Sequence, residues 1–203
     1  MRRFVLIFSA AICATAVAHE LGHAIAGLTQ SLIVVPTPFK EYVLAPTVDW
    51  QQYRVLALGG PVGTLIAVVA SGVWFLRRRS ADAEAVFVGA LLTPAAYSLR
   101  YLLAGRGHDG VEWMAAQAAL GLSATGHALD GLLFGVVVVG TVVWVSVRRK
   151  QIGLRTLGRA IGLFFLGLVV LVAGQVGNNA LFDPLFPDHR GDHVPADVRA
   201  VRE

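Results

Sequence analysis

Residues 4–28 read FVLIFSAAICATAVAHELGHAIAGL, an apolar run whose charged or titratable groups, apart from the thiol of Cys13, are His19, Glu20 and His23. A helix that crosses the ~30 Å hydrocarbon core of a bilayer needs about 20 mostly apolar residues, and this run is longer. The pattern recurs along the chain. Val55 to Leu76 contains no charged residue, and Ala83 to Ala104 keeps Arg100 near its end, where a long side chain can snorkel to the interface. Ala124 to Val147 and Ala160 to Phe182 are two further long runs, whereas Trp113 to Leu122 is apolar but too short to span. The expectation is an all-α, polytopic transmembrane bundle of about five spans plus one short interfacial or re-entrant helix. It forms a single membrane-embedded domain over 1–182, and the polar tail 183–203, with three prolines, is expected to be flexible.

Composition agrees. The chain has 203 residues, 56% hydrophobic and 15% charged, against about 25% charged for a soluble domain; its mean hydropathy is +0.65. Disorder is excluded by the apolar mass, and a disulfide scaffold by the single cysteine, Cys13. The net charge of +4 does not point to nucleic acid as a partner, because the basic residues cluster at the ends of apolar runs. Arg2, Arg3, Arg77, Arg78, Arg79, Arg148, Arg149, Lys150, Arg155 and Arg159 fall on one face if the spans alternate. Positive-inside bias then makes the N terminus cytoplasmic and the C terminus extracytoplasmic. Alternation also requires that residues 105–123 do not cross. A competing reading takes Met1 to Ala18 as a secretory signal cut after Ala18; the apolar character continuing through Val35 argues against it.

The chemistry is concentrated in His19-Glu20-Leu21-Gly22-His23, which fits H-E-x-x-H. Chance placement of 6 His and 5 Glu in this length gives the pattern on the order of once per 200 such chains. On a helix, positions four apart share a face, so both imidazoles reach one metal ion. Ionisable groups inside a spanning helix are expensive and call for a function. Zinc lowers the pKa of a bound water towards about 7, and Glu20 beside it is placed to act as the general base. The alternative is a hydrated polar cluster at a helix end. Zinc needs a third protein ligand, for which Asp49, His108, Asp109, Glu112, His127 and Asp130 are candidates. Depth favours Asp109, flanked by glycine in Gly107-His108-Asp109-Gly110, over Asp130 in Leu129-Asp130-Gly131. Asp109 as a helix N-cap is the competing role.

These motifs, in this order, resemble the site-2 protease family of intramembrane zinc metalloproteases, in particular its small, compact members. The family places H-E-x-x-H in a first core helix, a small-Gly-Pro motif at the start of the second and an Asp-Gly motif at the exit of the third. Here these are His19 to His23, Gly59-Gly60-Pro61 and His108-Asp109-Gly110. The resemblance covers roughly residues 4–135. It implies one catalytic Zn2+ held by His19, His23 and Asp109, with Glu20 as base. It departs from the family where an asparagine is expected ahead of Asp109, and His108 stands where leucine is usual.

Gln30 to Tyr53 lies on the side of the motif. Leu32 to Val35 and Tyr42 to Leu44 are β-prone and punctuated by Pro36, Pro38 and Pro46, so a small hairpin in 30–53 is expected, with an edge that could take an extended substrate. The competing reading is a loop anchored in the interface by Tyr42, Trp50 and Tyr53. The glycines at 59, 60 and 63 also suit close helix packing, with Gly22 and Gly27 as partners on the first helix. The expected function is an intramembrane zinc endopeptidase cutting membrane-spanning or membrane-proximal segments. It would work in the lipid bilayer, on a membrane protein substrate, with its site near the extracytoplasmic side; the compact layout points to a bacterial cell membrane. The alternative is a catalytically inactive, protease-like membrane protein that binds other membrane proteins. Transport is disfavoured, since paired broken helices are missing from the pattern. Oligomeric state is left open.

Overall fold

The structure is a computed structural model that describes residues 2–45, 48–104, 108–122, 128–148 and 154–187, without the side chains of 99–104, 108–112, 130, 154–157 and 159–160. Six α helices are described: α1 (Arg2–Thr29), α2 (Trp50–Arg78), α3 (Ala81–Ala104), α4 (His108–Ala119), α5 (Ala128–Arg148) and α6 (Leu154–Phe182). A hairpin of β1 (Val34–Thr37) and β2 (Lys40–Val43) joins α1 to α2, and a 3-10 turn, Asp183–Leu185, follows α6.

α1 is the centre of the bundle. Its buried residues are Phe8, Ala11, Ile12, Thr15, Ala16, His19, Glu20, His23, Ala24 and Gly27, the i, i+3, i+4, i+7 spacing of one helix face. It packs on α2 and α3, and also touches β1 and α6. The helix runs unbroken through Ala18. Its contact with α2 is close because both sides are glycine: a methyl group on Gly22 would strike the Gly59 carbonyl, and one on Gly63 the Ala18 carbonyl. Gly27 instead makes room for Val34 and Leu56, so of the two expected partners only Gly22 lies at the helix crossing.

The expected number of spans changes. Among the described residues, α1, α2, α5 and α6 are long and apolar enough to cross a membrane, four rather than five. α3 forms where the third run was expected. Asp82 and Glu84 in its first turn, with Pro94, Tyr97 and Ser98, dilute its apolar character. It tolerates them because neighbours enclose it: Ala83, Ala85, Phe87, Ala90, Leu91 and Leu92 are all buried. α5 and α6 are peripheral and turn Val138, Val139, Val142, Phe165, Val169, Val172 and Val176 outward.

Two ends of the bundle are distinguishable. At one, Arg3 of α1 pairs with Asp82 of α3 at 2.6 Å. Glu84 of α3 binds both Arg148 and, at 2.8 Å, the indole nitrogen of Trp144. The start of α1, the start of α3 and the end of α5 therefore share one end with Arg77 and Arg78, which close α2 two residues before α3. α4 spans only 12 residues, about 18 Å, and packs mainly on α2.

At the other end sits the hairpin, antiparallel in the register Val34↔Val43, Val35↔Tyr42, Pro36↔Glu41, Thr37↔Lys40. The strands are shifted from the β-prone segments because Pro38 and Phe39 form the turn, a position that suits the fixed φ of proline. Tyr42 and Tyr53 are 0% and 4% exposed, so they are core residues rather than interfacial anchors. The segment after α6 is also fixed at its start: Asp183 accepts from Lys40 Nζ (2.8 Å) and Tyr42 OH (2.7 Å), and Phe186 stacks on Tyr42 at 4.5 Å. The expected flexible tail thus begins with a docked turn, because Asp183 meets a cation and a hydroxyl on β2; positions 188–203 lie outside the described residues.

Candidate metal centre

His19, Glu20 and His23 are three successive members of the buried stripe of α1, 7%, 4% and 1% exposed. They lie in its second half, with Glu20 about 14 Å along the axis from Thr29. Burying two imidazoles and a carboxylate is costly unless each is bonded or shares a cation.

Each imidazole is held by its Nδ1. His23 Nδ1–H donates to the Leu56 carbonyl at 2.8 Å. That carbonyl lies one turn before Pro61, whose missing N–H leaves the adjacent Ala57 carbonyl without its helical donor and loosens α2 at this point. His19 Nδ1 lies 2.9 Å from the hydroxyl of Thr64, itself 1% exposed. With both Nδ1 atoms engaged, the two Nε2 atoms face each other at 3.1 Å, ring centroids 4.7 Å apart and planes at 78°. A carbonyl can only accept, so His23 carries its proton on Nδ1 and turns a bare Nε2 towards His19. In the absence of a cation the 3.1 Å contact is a hydrogen bond, His19 Nε2–H donating to His23 Nε2 while His19 Nδ1 accepts from the Thr64 hydroxyl; with the His19 proton moved to Nδ1, both Nε2 lone pairs are free for a shared cation. Two ligands about 2.0–2.1 Å from one zinc ion in tetrahedral array stand ~3.3 Å apart, close to the observed separation. The donor set therefore fits a metal ion.

Gly60 forms the wall opposite. A methyl group there would overlap His23 Nε2 and stand 2.5 Å from His19 Nε2 and 2.6 Å from His19 Cε1. The Gly59-Gly60-Pro61 segment thus does two things: Gly59 brings α2 against α1, and Gly60 leaves the space in which the two nitrogens meet. Tyr97 of α3 covers His19 on another side, ring centroids 4.6 Å apart.

The structure adds a residue the sequence did not single out. Glu41 of β2 joins Glu20 and His23, one ligand atom of each lying within 4.8 Å of the others. Two carboxylates at that range do not both ionise cheaply, so they share a proton or a cation. Glu41 stands in a four-residue strand, too short for any periodicity to mark it. Thr64 and the Leu56 carbonyl were equally unmarked; the signal that could have found Thr64 is a hydroxyl one turn beyond the Gly-Gly-Pro motif.

The third-ligand candidates fare differently. Asp49 is the N-cap of α2: its side chain accepts from Gln52 N at 2.8 Å while Gln52 Oε1 accepts from Asp49 N at 3.1 Å. That reciprocal capping box engages it in helix initiation, not at the histidines. His108 and Asp109 are the first two residues of α4 and Asp130 lies in its successor, but these side chains, with that of Glu112 and with His127, lie outside the described residues. Compared with known protein families, curated proteins and solved structures, the chain matches none.

Proposed function

We propose that the protein is a membrane-embedded zinc endopeptidase of site-2 protease type, hydrolysing peptide bonds in membrane-spanning or membrane-proximal segments of other proteins. The observation that carries this reading is the pair of Nε2 atoms 3.1 Å apart in a buried helix stripe, each ring fixed through its Nδ1. His19 and His23, with Asp109 as third ligand, would hold the ion. When bound, the ion supplies Lewis-acid activation of water and of the scissile carbonyl.

The chain's own groups do the rest. Glu20, buried beside the histidines, takes the proton from the attacking water and returns it to the leaving amine. The Leu56 carbonyl and the Thr64 hydroxyl fix which ring nitrogens face the ion. The hairpin lies beside the site, where a strand edge suits an extended substrate; a helical peptide bond is shielded and must be unwound to react. Four apolar helices with outward-facing valines and phenylalanines suit a lipid surround, and the positive-inside bias, with the basic residues at the other end, favours an extracytoplasmic hairpin end.

Glu20→Gln tests the reading. The full chain should keep its metal, because Glu20 is not the assigned ligand, and lose cleavage of a membrane-anchored reporter by at least 100-fold, the usual scale of a lost general base. Retained cleavage would remove Glu20 as base. A wild-type chain that binds zinc but cuts nothing would favour the non-catalytic binding role.

A further inference from the structure

We infer that the basic end of the bundle is a docking rim for anionic lipid headgroups, gripped by Arg2, Arg77, Arg78 and Arg79, with Trp74 beside them at the headgroup boundary; this rests on the membrane reading of the chain and not on catalysis at the histidines. Positive-inside bias states which way a bundle faces, whereas the rim concerns what its charges bind. The register of α1 on α2 brings the residues together. Gly22 meets Gly59 and Ala18 meets Gly63, so the two helices run antiparallel. Continued to the basic end, that register sets Arg3 and Arg2 level with Arg78 and Arg79. The 2.6 Å pair of Arg3 with Asp82, four residues past Arg78, ties the two ends to each other.

Charge at this end is not balanced within the chain. Among the described residues its acids are Asp82 and Glu84, and both are engaged: Asp82 by Arg3, Glu84 by Arg148 and the Trp144 indole. Arg2, Arg77, Arg78 and Arg79 are exposed and have no ion-pair partner among the described residues. The sequence 149–159 adds Arg149, Lys150, Arg155 and Arg159 and no acid. The macrodipole of α2 offers about half a negative charge at its C-terminus, which offsets little of three consecutive arginines. Arg79 closes the helix in the left-handed region, φ 51°, where glycine is the usual choice, so a charge stands there against the preference of the backbone. A guanidinium pairs with a phosphate through two parallel N–H donors. Trp74, 42% exposed, lies one turn before Arg77 and Arg78, between exposed Val73 and Leu76, and an indole favours the boundary between headgroup and acyl chain. An anionic lipid thus meets arginine at its phosphate and apolar side chains along its tails. In a zwitterionic lipid the headgroup cation cancels most of that attraction.

The test reconstitutes the full chain in vesicles and reads quenching of Trp74 by brominated lipids, the Trp74 signal being the difference between wild type and Trp74→Phe. Brominated phosphatidylglycerol should outcompete brominated phosphatidylcholine at least fivefold, since each arginine near an anionic surface gains about that factor. Arg77 and Arg78 are exposed, so the double variant Arg77→Gln, Arg78→Gln should keep its fold, and its preference should fall to about twofold or less. High salt, with a screening length of about 3 Å at 1 M, should collapse the preference as well. Arg54→Gln, in the first turns of α2 and so at the other end of the bundle, should leave it unchanged. Equal quenching by both lipids in the wild type would overturn the docking rim, as would a preference that survives the double variant. Inorganic phosphate at tens of millimolar and matched ionic strength should not abolish the preference; if it does, the rim is a site for free anions and the lipid assignment falls. A chain that stays off the bilayer would overturn the rim and the membrane reading together.

Discussion

Gly60→Ala is the sharpest probe of the centre. The added methyl would stand 2.5 Å from His19 Nε2 where ordinary contact begins at 3.4 Å, a shortfall of 0.9 Å (3.4 less 2.5), and it would overlap His23 Nε2 as well. Neither ring can yield freely, since each Nδ1 is tied to α2. Metal–ligand distances tolerate only about ±0.2 Å, so a displacement several times larger removes one or both nitrogens from the ion. The expected loss of zinc affinity is at least 100-fold, about 2.7 kcal/mol. Overpacking should cost the fold about 1–3 kcal/mol, which leaves the bundle folded. Gly135→Ala, where a methyl meets nothing within 4 Å, is the control. The assay is zinc content after purification and competitive chelator titration, with thermal unfolding measured in parallel. Full zinc affinity in a folded Gly60→Ala variant would refute the convergence of the two nitrogens.

Two further perturbations address the surroundings. Thr64→Val removes the group beside His19 Nδ1 and should lower zinc affinity 10–100-fold in the chelator titration, while Thr64→Ser should retain it. Asn178 of α6 is 4% exposed and, among the described residues, neither atom of its amide has a hydrogen-bond partner, so Asn178→Leu should raise stability by about 1–3 kcal/mol in denaturant unfolding.

Helices are legible in this chain because an apolar run long enough to span leaves the backbone few alternatives: α1, α2, α5 and α6 all form at the runs that announce them. α3 also forms, but Asp82, Glu84 and Ser98, which enclosure by its neighbours lets it carry, keep it out of the helices that are long and apolar enough to cross. His19, Glu20 and His23 are legible because their spacing is local and helical. Glu41 and Asp183 are not, since what matters about them is a partner far along the chain, and no local pattern encodes that meeting. Asp49 shows the opposite failure. Its Asp-x-x-Gln spacing spells a capping box, yet a carboxylate near a metal motif also reads as a ligand, and only the geometry separates the two.

The bonds from Lys40 and Tyr42 to Asp183 join positions 143 and 141 apart. In a chain made from its N terminus, α1 and α2 are complete long before the acceptor of those bonds has been synthesised. The two imidazoles and their Nδ1 partners on α2 can thus meet before that link forms. The link from β2 to the end of α6 closes only once the sixth helix is in place, so it depends on nearly the whole chain having been made.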